Sequence, residues 1–295
     1  MRFRGARDLG WLGLMVLALG VLAAPAEARR VLTDIEYARV DSVSLRLDLY
    51  LPTNSPGPTP LVVWIHGGAW MSGSKEDCAA PDVLGDAYAV ASIDYRLTQT
   101  APFPAQLDDC KAAVRWLRAH AGDYGIDASR IGAWGESAGG HLAALLGTSG
   151  NVPELEGTVG DDLSTSSRVQ AVCDFCGPTD LAAMVAQLLE IDPETPMYPF
   201  VLLLGGTLDE KAELARLASP VSHVDASDPP FLIVHDDQDD VVPYAQATSF
   251  YSALASAGVD ASLYTVGGAG HCAFPSAVGD VVRAFFDRAL GAGAG

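Results

Sequence analysis

The chain has 295 residues, 49% of them hydrophobic, and a formal net charge of −19. That length and apolar content suit one substantial core. So acidic a surface repels nucleic acid, anionic membranes and acidic polysaccharides, and favours neutral partners.

In chain order, Arg2, Arg4 and Arg7 precede an apolar stretch from Leu9 to Ala24, and Ala26-Glu27-Ala28 then offers small residues for cleavage. Residues 1–28 read as a secretory signal peptide rather than a stable membrane span, because polar residues resume at once. A retained, uncleaved anchor is the alternative. The expected location is therefore the periplasm or the medium, with residues 29–295 as a single folded domain. Ile35 to Val40 and Val43 to Tyr50 alternate apolar with polar residues, as antiparallel edge strands do. The turn-rich run Thr53 to Pro60 connects them to strands predicted at Leu61, Tyr88, Arg130, Val169, Phe231 and Ala261. Helices are predicted at Pro104 to Ala121, Ala138 to Leu146, Tyr244 to Ala257 and Val278 to Leu290. In the first, Leu107, Cys110, Val114 and Leu117 recur at helical spacing as one buried stripe. This alternation argues for an α/β fold with a mostly parallel, doubly wound sheet and ligands at the carboxyl ends of its strands. Asn151 to Ser167, polar and turn-rich, reads as a surface excursion.

Gly135-Glu136-Ser137-Ala138-Gly139 lies between a predicted strand and a predicted helix. A serine on such a turn projects its hydroxyl from the end of the sheet. Serine is a weak nucleophile near neutral pH, so it needs a base, and the base needs a carboxylate to fix its tautomer. Asp239, after the strand at Phe231, and His271, after the strand at Ala261, follow in the required order. Asp236, Asp237 and Asp240 crowd the same loop; the spacing from His235 and the following Val241-Val242-Pro243 favour Asp239. Four carboxylates this close are expected to raise the pKa of at least one, with the other three as a solvated loop end. Upstream, His66-Gly67-Gly68-Ala69-Trp70 follows an apolar strand. Backbone amides of Ala138 and of the Gly68–Ala69 region, with Gly67, are expected to form the oxyanion hole.

These segments, together with Asp94-Tyr95-Arg96-Leu97, Phe103-Pro104-Ala105-Gln106 and Gly177-Pro178-Thr179-Asp180, resemble the carboxylesterases of the α/β-hydrolase superfamily from about Leu45 to about Phe286. The likeness extends to bifunctional carbohydrate acetyl and feruloyl esterases and to hormone-sensitive-lipase-like esterases. It implies an α/β-hydrolase fold, the catalytic triad Ser137, Asp239 and His271, and ester hydrolysis with no metal and no cofactor. One residue departs from the pattern: Asp236 stands where these proteins usually have glycine in H-G-x-x-D. In this fold the stretch 180–219, apolar to Leu189 and then proline-broken, implies a small lid with a fairly open pocket beneath.

Five cysteines suit an exported protein with at least one unpaired thiol. Cys78 and Cys110 are expected to flank the sheet on one side and to form a disulfide. Cys173 and Cys176 read as buried small hydrophobes rather than as a metal or redox pair. His66 is expected to shape the oxyanion loop, His141 to pack or hydrogen-bond within its helix, with an approach to the cleft as the alternative, and His235 to hydrogen-bond at a strand end. Asp94, Arg96 and Asp180 read as structural ion pairs or turn caps. The expected protein is a secreted serine carboxylesterase acting on small-molecule or carbohydrate-linked acyl esters of acetyl or feruloyl type. An amidase or exopeptidase with the same triad is an alternative. So is a non-catalytic binding protein on the hydrolase fold, disfavoured because both Ser137 and His271 are present.

Overall fold

The computed structural model describes residues 29–195, 197–273 and 275–291, so the predicted signal peptide lies outside the described residues. β1 (Arg30–Val40) and β2 (Val43–Leu51) form the expected antiparallel hairpin at one edge of the sheet. Six further strands follow: β3 (Thr59–Ile65), β4 (Ala89–Ile93), β5 (Ile126–Glu136), β6 (Ala171–Phe175), β7 (Phe231–Asp236) and β8 (Ala261–Val266). Among the described residues they make one eight-stranded sheet in the order β1-β2-β4-β3-β5-β6-β7-β8. Every pairing from β4 to β8 is parallel.

Parallel strands need crossovers, and here these are mostly helical: α1 (Ala80–Leu84), α2 (Ala105–Ala119), α3 (Ala121–Tyr124), α4 (Ala138–Thr148), α5 (Leu181–Ile191), α6 (Tyr198–Leu204), α7 (Ala212–Leu217), α8 (Ala245–Ala257) and α9 (Ala277–Leu290). They cover both faces, which is why the strands read as continuous apolar runs. Leu61, Val63 and Ile65 of β3 join Leu107, Val114, Leu142 and Phe250 on one face. The intervening Val62 and Trp64 join Leu84, Val282 and Phe286 on the other. The predicted helices are present to within a residue or two at each end.

The two faces also decide the cysteines. Cys110 is buried among the residues of the first face, whereas Cys78 packs against the second, so the expected Cys78–Cys110 bridge is not formed and both are free. The disulfide joins Cys176, directly after β6, to Cys272, 96 residues on. Both members of the C-x-x-C pair are buried in the second face as expected, but only Cys173 remains a free thiol.

The 151–167 excursion is held inward more firmly than its polarity suggests. Glu156 accepts from Lys111 Nζ at 3.0 Å and Arg115 Nη1 at 2.9 Å, two α2 cations each only 1% exposed. Burial opposes charge on Glu156, but Lys111 and the Ser167 hydroxyl still hold its carboxyl below the usual range. Between β6 and β7, α5 to α7 form a helical insertion, begun by Asp180, whose Oδ1 accepts the Ala183 amide at 3.0 Å.

Candidate active site

β5 ends in the turn that opens α4, and Ser137 occupies it with φ 54° and ψ −119°. A non-glycine residue there is strained and must be held by its surroundings. The Ser137 amide donates to Phe175 O of β6 at 2.8 Å. Its flanking glycines answer close approach: a Cβ on Gly135 would lie 2.3 Å from the Gly139 carbonyl, and one on Gly139 would lie 2.0 Å from Ile65 O. The Ser137 hydroxyl donates to His271 Nε2 at 2.9 Å, and His271 Nδ1 donates to Asp239 Oδ2 at 2.8 Å.

Asp239 sits in the turn after β7, its Oδ1 accepting the amides of Val241 and Val242 at 2.9 Å. His235 Nε2 lies 3.3 Å from its Oδ2 and donates to Val242 O at 2.8 Å. Burial pushes the Asp239 carboxyl up, yet hydrogen bonds from His235, His271 and the Val242 amide outweigh it and hold it well below the usual carboxylate range. The carboxylate that faces the base is thus ionised.

Asp236 overturns the expectation of a solvated loop end. It has no exposed surface. Its carboxylate accepts the amide of Gln238 at 2.8 Å and that of Ala269, on the His271 loop, at 2.7 Å. Burial raises its pKa, but these backbone donors prevail and the net direction is downward. The upward shift expected from like-charge repulsion is therefore absent at Asp236, where backbone amides prevail, and at Asp239, where the two histidines and one amide do. At the position where the resembling esterases carry glycine, this chain has a clamp on its base-bearing loop.

The His66–Trp70 segment approaches Ser137 from β3. Gly68, Ala69 and Trp70 all have positive φ (103°, 52° and 60°), and a Cβ on Gly68 would lie 2.3 Å from Ser72 O. His66, whose pKa burial lowers, donates from Nδ1 to Gly67 O at 2.8 Å and stacks on Tyr95. Ala69 and Ala138 line the same cavity as Ser137, whereas Gly67 and Gly68 do not, although a Cβ on Gly67 would lie 3.5 Å from Ser137 Cβ. His141 does more than pack within its helix. Its Nδ1 accepts the Trp70 indole N–H at 3.1 Å, and its Nε2 donates to Ala218 O at 2.6 Å. Burial pushes its pKa down to about 4, so it is a neutral strut between the oxyanion segment and the helical insertion. Its place one turn after Ser137 was the only sequence signal for this role.

Above Ser137 lies a cavity of about 240 Å³, walled by Trp70, Met184, Leu188, Pro199, Phe200 and Val242. Four of these walls, Met184, Leu188, Pro199 and Phe200, belong to α5 and α6, so the helical insertion supplies much of the wall. A groove of about 720 Å³ between β1 and residues 158–162 holds none of the triad, so size does not locate the chemistry. Cys176, His271 and Cys272 place potential ligand atoms within 4.8 Å of one another, but the two sulfurs are bonded together and offer no thiolate. Arg96 grips Asp109 with Nε and Nη2, the structural ion pair expected of it.

Comparison with known proteins gives a consistent picture. The BD-FAE family model matches residues 47–254. Esterase LipC of Mycobacterium tuberculosis is 33% identical over 232 residues, 77% of this chain and 54% of that protein; this chain thus spans about half its length. The structure of a truncated carbohydrate esterase from gut microbiota superposes with a TM-score of 0.82 at 33% identity, covering 91% of this chain and 99% of that one. A bifunctional GH43-CE protein of Bacteroides eggerthii gives a TM-score of 0.78 at 35% identity, over 88% of this chain and 38% of that one.

Proposed function

Because this chain belongs to the BD-FAE family of α/β-hydrolase esterases, we propose that it is a serine carboxylesterase working through an acyl-enzyme on Ser137. One observation carries the reading: Ser137 Oγ lies 2.9 Å from His271 Nε2, the other ring nitrogen is bound to Asp239, and Ser137 lines an apolar cavity. Ser137 Oγ attacks the ester carbonyl while His271 Nε2 takes its proton; Asp239 stabilises the imidazolium formed. The tetrahedral oxyanion is received by backbone amides of Ala138 and the Gly68–Ala69 segment, and each such donor is typically worth about a hundred- to a thousandfold in rate. His271 then protonates the leaving alcohol, and water repeats the sequence on the acyl-enzyme.

The cavity walls supply dispersion contacts and few polar partners, which suits short or single-ring acyl groups such as acetyl and feruloyl. The likeness to carbohydrate esterases supports a sugar-linked alcohol. A neutral substrate fits the net charge, and a disulfide fits export through the N-terminal signal.

The test is hydrolysis of p-nitrophenyl esters from acetate to palmitate, with methyl ferulate and acetylated xylan alongside. Activity should peak at short chains and fall by about a thousandfold or more in Ser137→Ala. Folded protein with no serine-dependent turnover on any of these esters would refute the reading.

A further inference from the structure

The segment that carries His271 has little of its own to hold it. Between Val266 and Ala277 it contains Gly267, Gly268 and Gly270, and a Cβ built on any of them would meet open space. Backbone of this kind has many conformations to choose from. A general base does not, because it must stay within hydrogen-bond reach of the nucleophile. Among the described residues, and besides the His271–Asp239 bond, attachments from outside the segment supply the restraint. Asp236 and Asp237 accept the amides of Ala269 and Gly268 at 2.7 Å and 3.3 Å, and Cys272, the residue after His271, is bonded to Cys176.

The other end of that disulfide is anchored where the nucleophile is anchored. The Cys176 amide donates to Val234 O at 2.9 Å, and Phe175, directly before it, accepts the Ser137 amide at 2.8 Å. The path from Ser137 through Phe175, Cys176, Cys272 and His271 back to the Ser137 hydroxyl is therefore closed. Three of its links are covalent and two are hydrogen bonds.

We propose that the Cys176–Cys272 disulfide positions the base, holding His271 in register with Ser137, and that its reduction lowers turnover without unfolding the protein. This rests on the serine-hydrolase reading above. With a dithiol as reductant, the S–S bond breaks and each sulfur gains one electron and one proton. The reductant loses two of each and closes its own disulfide. The remaining cysteines do not confuse the reading: burial pushes the Cys110 and Cys173 thiols well up and the Cys78 thiol to about 11, so none is a ready exchange partner.

The experiment compares p-nitrophenyl acetate hydrolysis by the oxidised protein, by the same protein in dithiothreitol, and by Cys176→Ala/Cys272→Ala. A chelator is present throughout, because the freed sulfurs and the His271 ring nitrogen would otherwise offer a soft metal three ligands. Near-UV circular dichroism and fluorophosphonate labelling of Ser137 are followed in parallel. Reduction should lower kcat and the labelling rate by about ten- to a hundredfold, the cost of roughly an ångström of misplacement, while KM moves by less than about twofold. Reoxidation should restore both, and the double variant should match the reduced protein and ignore the reductant.

Reduced, folded protein that keeps its kcat within about twofold would overturn the proposal. So would a double variant that still loses activity to dithiothreitol, or loss of the tertiary signal together with activity on reduction. If the double variant does not fold, the reduced native chain decides the matter. Oxidised protein without Ser137-dependent turnover would instead sink the hydrolase reading, and this inference with it.

Discussion

Asp174 on β6 lies beneath the nucleophile turn, 1% exposed. Its Oδ1 accepts the Gly177 amide at 2.9 Å, while its Oδ2 is buried without a hydrogen-bond partner. Burial raises its carboxyl to about 6. The folded state then holds this proton more tightly than the unfolded chain does, so the stability contributed by Asp174 is full below about pH 4 and is lost as pH rises through 6. A shift of roughly two units corresponds to about 3 kcal/mol. Asp174→Asn, which keeps the Oδ1 acceptor, should therefore raise the thermal midpoint at pH 8 and leave it nearly unchanged at pH 4; an equal gain at both would contradict this account. At this scale the sequence was legible where a motif names the residue, as with Ser137 and His271. It was not legible for Asp236, since four adjacent acids look alike until the backbone turns one of them inward. Nor does a sequence measure distance, so the pairing of Cys176 with Cys272 had no signal in it.

Elements were read well wherever periodicity spoke, because parallel strands buried on both faces and amphipathic helices leave unmistakable patterns. The insertion between β6 and β7 was the exception. Its prolines suggested a broken stretch, yet Pro199 sits in the first turn of α6, where its missing N–H costs nothing and its fixed φ begins the helix. α5 and α6 then set the depth of the cavity through Met184, Leu188 and Phe200. Phe200→Ala should deepen it, raising the ratio of kcat/KM for p-nitrophenyl octanoate over acetate by about tenfold, a change of size expected from pocket contacts. The same truncation should cost about 3 kcal/mol in a denaturant titration. A stability loss without a change in chain-length preference would remove α6 from the specificity argument.

For the whole molecule, the alternation of strand and helix was enough to assign the sheet, but not to say which face each crossover covers. That gap is why Cys78 and Cys110 were wrongly paired. The charge of −19 acts at this scale too, as a field over the entire surface. Esters on uronic-acid oligosaccharides should gain several-fold in kcat/KM between about 10 and 300 mM salt as screening relieves repulsion, while neutral xylan esters stay flat. A salt response shared by both substrates would show that the cleft does not feel the global charge. Finally, Glu156 is the shared counter-ion of two cations sealed beneath it. Losing the acid alone strands both, whereas losing either cation alone leaves a neutral pair. Over generations the acid is therefore the position that the other two tie down. Descendants of this chain should lose a cation before they lose Glu156, and chains that keep both cations without the acid should be rare.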